Sequence, residues 1–187
     1  MATSATGGKL VTTLPNEVAL RRLLQGVLAG VMGLPPAFVR PRWQPNPPVI
    51  PADTIDWAAF GISKRTGSAD ISVEQKELSA TITRQEQLEV LVSVYGPNAE
   101  SYCELFRDGM ALAQNREVMF LACMGLVEIT PIVHAPELYN NQWYNRCDFT
   151  WVVNRETNKE YQILCFAGAL GAIITETMNL PYSVSPL

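Results

Sequence analysis

Helices laid on one face of a mostly antiparallel sheet, an α+β architecture, is the fold class this sequence predicts. Three observations predict it. An amphipathic helix lies near the start, two segments carry apolar residues at every second position, and helical and strand patterns follow one another without a βαβ alternation. At 187 residues the chain has the length of one domain. We read 1–187 as a single domain, with a loose Thr/Ser/Gly-rich start over 1–15.

The first helix begins at Asn16, a suitable N-cap, with Glu17 at the positive end of the helix dipole. Leu20, Leu23, Leu24, Val27, Leu28 and Val31 then form one apolar stripe. Gly33 can supply the left-handed residue that ends a helix, and Pro35-Pro36 prevents continuation. Seven prolines fall between Pro35 and Pro51, so 34–51 is an extended segment with few backbone donors. It is either a stiff connector lying on the domain or an arm that reaches a neighbour. Within it, Arg40, Arg42 and Trp43 are candidate subunit-interface residues, since Trp and Arg dominate interface hot spots.

Residues 54–84 hold β-rich pieces whose alternation is broken. The pattern sharpens at Leu88, Val90, Val92 and Val94, a half-buried strand. Gly96-Pro97 ends it and starts a helix with Pro in the first turn, and Gly96 sits where a tight turn demands positive φ. Ala99, Tyr102, Cys103, Phe106 and Met110 share a face of that helix, and Glu104 stands three residues from Arg107. A short helix follows from Asn115 to about Gly125. Val127 to Val133 reads as an edge strand interrupted by Pro131. Cys147, Phe149, Trp151 and Val153 alternate with Arg146, Asp148, Thr150 and Asn154 in a second half-buried strand, which sets Arg146 beside Asp148 on one face. Asn154 to Lys159 looks turn-like and Tyr161 onward like a return strand, a C-terminal hairpin with a bend or bulge at Gly168 and Gly171.

Composition narrows the function. Hydrophobic residues make up 48% and charged residues 17%, which excludes a disordered chain. The net charge is −4 and the ten arginines are scattered, so bulk attraction to phosphate does not organise this protein. The aromatic-rich stretch Tyr139 to Arg146 offers a base-stacking surface, but Trp143 is expected to pack. The apolar run after Arg21-Arg22 has no small-x-small cleavage site, and the longest apolar run, 163–174, is too short to span a bilayer, so no membrane address is expected.

Catalytic patterns are missing. Cys103, Cys123, Cys147 and Cys165 form no CxxC pair, each lies in an apolar stretch, and all four are expected to be reduced and buried. His134 is the single histidine, so a zinc set is not expected, nor any other metal or cofactor. A cysteine-dependent enzyme pairing one Cys with His134, and a single-strand nucleic-acid binder using Trp143 and Tyr144, are the alternatives to a structural role. The acidic pairs Asp53/Asp56, Glu74/Glu77 and Glu86/Glu89 read as solvated surface.

Several landmarks together resemble the tailed-phage neck terminator or tail-terminator-like head–tail connector proteins. They are Gly33-Leu34-Pro35 followed by Val39-Arg40-Pro41-Arg42-Trp43-Gln44, then Val92-Ser93-Val94-Tyr95-Gly96 running into a helix with Ala99, Leu105 and Arg107, then Trp143, Arg146 and Asp148. The resemblance covers about residues 16–155. It marks Tyr95, Gly96, Trp143, Arg146 and Asp148 as family-like structural positions. It implies a ring, six copies in the family pattern, in the virion neck between a portal or adaptor-side neck protein and the tail tube or sheath protein. Such a ring is assembled in the host cytoplasm, uses no cofactor, and lets DNA pass its lumen without specific binding.

Overall fold

A computed structural model describes residues 10, 12, 16–76, 78–139, 141–163, 169–174 and 179–184. The fold is α+β and its sheets are mostly antiparallel. The chain groups into two compact units. The larger comprises residues 15–71 and 84–157, and the smaller comprises 1–14, 72–83 and 158–187.

Helix α1 spans Glu17–Met32. The Asn16 side chain accepts from the Ala19 amide at 3.0 Å, and Gly33 closes the helix at φ 74°. The helix buries Leu20, Leu24, Val27, Leu28, Ala29 and Met32. A single 3₁₀ turn at Pro36–Phe38 leads to β1 (Val39–Pro41), so this part of the proline-rich segment joins the sheet. Gln25 of α1 ties it down by donating to the Pro36 and Val39 carbonyls at 3.0 and 2.7 Å. Leu34 and Val39 are core residues, whereas 45–50 are exposed.

The principal sheet sets β1 beside β2 (Trp57–Gln75), then β3 (Ser79–Tyr95), β8 (Arg146–Gln162) and β4 (Met124–Ile129), with β5 (Val133–His134) also paired to β8. Strand β8, Arg146–Gln162, runs antiparallel to β3, as the Ser93–Asp148 and Gln85–Glu156 side-chain pairs require. Strand β1 is parallel to β2, with Val39 opposite Ala58. Strands β4 (Met124–Ile129) and β5 (Val133–His134) lie on the outer side of β8, separated by Pro131, whose missing N–H cannot join a ladder. The strand over 127–133 therefore lies at an edge, as the proline predicts. Strands β6 (Glu137–Tyr139) and β7 (Gln142–Tyr144) make a separate hairpin.

Helices α2 (Ala99–Gly109) and α3 (Ala113–Leu121) join α1 against the sheet face that carries Leu88, Val90, Val92, Val94, Phe149, Trp151 and Val153. Phe106 sits at the centre, 5.3 Å from both the Phe149 and the Trp151 ring centroids. Helix α2 starts two residues later than Pro97 suggests. Asp56 reaches in and accepts from the Asn98 amide and side chain, both at 2.9 Å, which fixes the start. Gly96 has φ 117° in the turn ahead of it.

Two strand expectations are corrected. Residues 154–159 are not a turn but the continuous middle of β8, and the C-terminal hairpin is instead β9 (Ala169–Ile174) with β10 (Asn179–Val184), which pair in antiparallel register. Gly171 lies within β9, while Gly168, Cys165 and most of 1–15 fall outside the described residues. In the smaller unit, Thr12 Oγ1 donates to the Glu160 carbonyl at 2.6 Å and Thr83 Oγ1 to Asn158 Oδ1 at 2.7 Å.

Candidate functional site

The face of the sheet turned away from the helices carries side chains from four strands. Residues two apart on a strand share a face. Arg40 and Arg42 leave the β1 segment on this side, Ser93 and Tyr95 the end of β3, and Arg146 and Asp148 the start of β8. Trp57 opens β2 between them.

One row is aromatic and cationic. The Trp57 and Tyr95 rings stack with centroids 4.3 Å apart and planes 7° from parallel. Arg40 lies 5.8 Å from the Trp57 ring centroid on one flank, and Arg146 lies 5.8 Å from that of Tyr95 on the other. The second row is hydrogen-bonded. Arg42 donates to the Ser93 hydroxyl, which donates to Asp148 Oδ1. Arg146 grips Asp148 through both oxygens, Nε at 2.9 Å and Nη2 at 2.6 Å, and gives Nη1 to Glu137 at 3.1 Å. Ser93 is fully buried, and its hydroxyl is satisfied inside this chain.

The electrostatics fix the protonation states. Burial pushes the Asp148 carboxyl up, but hydrogen bonds from Arg146 and Ser93 and the charges of Arg146 and Arg42 outweigh it and hold it below the usual carboxylate range. Its hydrogen bond to Asp148 raises the Arg146 pKa further. Ser93 has no imidazole beside it, and the lowered Asp148 and raised Arg146 keep opposite charges near neutrality. This is a clamp that locks strand register, not an acid–base centre.

A second cluster joins residues from three elements. His134 on β5 places Nδ1 3.4 Å from Cys147 Sγ on β8, and its Nε2 lies 3.1 Å from Glu100 Oε1 on α2. The order thiol, imidazole, carboxylate is that of an activated nucleophile. Cys147, however, has 0% of its surface exposed, and burial, then Glu100 and Asp148, pushes its thiol upward. Burial also lifts Cys103 to about 12. Both are neutral thiols at pH 7. Cys123 departs from the expectation of burial. It is exposed, at φ 54° between α3 and β4. Among the described residues no group of three or more His, Cys, Asp or Glu is placed to hold a metal.

Of the residues singled out by sequence, Arg40, Arg42, Tyr95, Arg146 and Asp148 therefore meet on one face. Gly96 abuts them, receiving its carbonyl bond from Asn145 Nδ2 at 3.2 Å. Trp43 and Trp143 do not join them. Trp143, expected to pack, stands 69% exposed on β7, because the small β6–β7 hairpin has no core of its own. Trp43 is 67% exposed at φ 57° and lies over Gly61. Trp57 is not among the residues the sequence points to, and Ser93 enters only as part of the Val92–Gly96 run, although its spacing from Tyr95 is a usable signal. Among the acidic pairs, Asp56 is a helix cap and Glu86 is a half-buried partner of Arg155, so neither is merely solvated.

A small α+β chain with a helix-covered sheet, a charge-locked outer face and large apolar side chains left in solvent has the character of an assembly component. Comparison with curated proteins finds no match. The phage neck terminator protein family matches residues 18–177, and the chain belongs to that family. It is a structural protein of the phage neck and hence of the virion. Among the described residues no helix is long and apolar enough to cross a membrane.

Proposed function

We propose that this protein forms a ring, six copies in the family pattern, that terminates the tail and joins it to the portal or adaptor-side neck protein, with the tail tube or sheath protein on its other side. Family membership over residues 18–177 carries this reading. The site chemistry supports it, since the hydrogen bonds of the polar face are committed to holding strands together. Exposed Trp43 suits an anchor between copies, with Arg40 and Arg42 holding the backbone that presents it. Arg40 does this by donating to the Val49 carbonyl at 2.7 Å. A net charge of −4 favours passage of DNA without adhesion.

Deleting the gene in the source phage tests the role. Unjoined heads and tails, or tails of abnormal length, are expected, and normal infectious particles would refute it. The 3.4 Å approach of His134 to Cys147 favours a second reading, a cysteine-dependent enzyme, which requires Cys147 to become reachable and ionised.

A further inference from the structure

Arg107, Arg146 and Arg155 each hold a carboxylate of their own chain. The margin where α1 meets β1 and β2 is different. Two adjoining hollows there share Arg21 and Pro41, and four of the ten arginines, Arg21, Arg22, Arg42 and Arg65, line them. No aspartate or glutamate lines either hollow. In a chain of net charge −4 this is a local reversal of sign.

The four arginines come from three parts of the fold and are unequally engaged. Arg65 on β2 is given to Glu17 through both terminal nitrogens. Glu17, whose charge also reaches Arg21, is thereby already held. Arg42, just past β1, gives Nη2 to Ser93, but its Nε is buried with no acceptor. A buried guanidinium N–H without an acceptor marks the place of a missing partner. Arg21 and Arg22 on α1 are exposed and form no ion pair among the described residues.

The hollows differ in shape. The smaller, about 90 Å³, is walled by Trp43, Phe60 and Ile62. The larger, about 440 Å³, is an open cleft between α1 and residues 41–46. Gln25 and Gln44 line it too, but their amide groups are spent on the Pro36, Val39 and Pro41 carbonyls. The strong donors left to a ligand are therefore guanidinium groups. Their planar forks match phosphate oxygens two at a time, and they give up water more readily than an ammonium does.

We infer that this margin binds a phosphodiester backbone, with Arg21 and Arg22 as the principal contacts and Arg42 approaching from the β1 side. Unpaired cations on an open cleft suit a ligand that repeats its charge along its length, as a nucleic-acid strand does. A contact of this kind holds the backbone and reads no sequence. Repulsion by the chain as a whole keeps DNA off the remaining surface, and this margin grips it. The inference goes beyond the ring reading and does not rest on it, because the hollows belong to a single copy.

Fluorescence anisotropy of a labelled oligonucleotide titrated with the full chain gives the test, duplex and single strand in parallel, between about 50 and 200 mM salt. Binding should weaken with salt at a log–log slope worth about two to three phosphates. Arg21→Ala with Arg22→Ala should lower affinity at least tenfold and reduce the slope by about two. Arg84→Ala with Arg116→Ala removes the same charge elsewhere and should leave affinity within about twofold. Both double variants are first matched to wild type in urea midpoint. The duplex, with its denser charge, is expected to bind more tightly, and a tighter single strand keeps the inference while naming an unpaired strand as the source. Equal losses in the two double variants, or no binding at low salt, overturn the inference. Polyglutamate that competes as well as the oligonucleotide overturns it too, and assigns the margin to an acidic protein segment.

Discussion

Asp56 lies against Gly96 so closely that a Cβ built on the glycine would come 2.8 Å from the Asp56 Cα and 2.9 Å from the Ile55 carbonyl oxygen. The same Asp56 caps α2, so the turn, the cap and the strand end are one packed unit. Gly96→Val meets both a left-handed φ of 117° and this wall. A loss of at least about 1–3 kcal/mol is expected, read as a lower urea midpoint at unchanged m-value. An unchanged midpoint would show that the turn relaxes freely.

Asp148 should make the protein acid-sensitive. Its folded pKa lies below its unfolded one, so its contribution is complete above the unfolded value of about 3.9 and is lost as pH falls through the folded value. Glu17, lowered chiefly by its hydrogen bond to Arg65, acts in the same direction. Asp148→Asn is expected to cost about 1–3 kcal/mol at pH 7. It should also lose less stability than wild type between pH 5 and pH 2 (about the window of the linkage). Parallel acid profiles for the two proteins would contradict the assignment.

Thiol reactivity separates a structural from a catalytic Cys147. In a Cys165→Ser background at neutral pH, one thiol should alkylate quickly and disappear with Cys123→Ser, because Cys103 and Cys147 are buried and neutral. A second fast thiol that slows with His134→Ala would favour the enzyme reading.

Phe106 should dominate the core. It is fully buried between Phe149 and Trp151, so Phe106→Ala is expected to cost about 3–5 kcal/mol in denaturation. Trp43→Ala should stay within about 1 kcal/mol as a monomer, since little of its surface is buried. Equal losses would place Trp43 in the core instead.

Sequence reading succeeded where burial is one-sided. Helix α1 with its caps, the strand end at Leu88–Val94 and the alternation Cys147–Val153 each set an apolar face against a polar one. It failed where a strand has no buried face. Residues 64–76 of the β2 region are exposed apart from Ser68, so nothing there alternates, and the Asn, Thr and Lys of 154–159 read as a turn although they continue β8. The outer-face cluster was half legible. Arg146 beside Asp148 followed from strand period alone, and their 2.6 Å ion pair agrees. The stack of Trp57 on Tyr95 depends on the pairing of two long strands whose register no local pattern reveals. Nor could sequence bring His134 to Cys147, since that contact depends on Pro131 dividing the edge into β4 and β5.

Gly61 carries an evolutionary consequence. With Trp43 resting on its bare Cα, any side chain there evicts the indole, and the removal of the indole frees the position. Position 61 cannot change before position 43 does. Across descendants of this sequence, glycine should persist at 61 wherever a ring occupies 43, and a larger residue should appear at 61 only in lineages where 43 has already become small. Inheritance would then treat two separate codons as a single character.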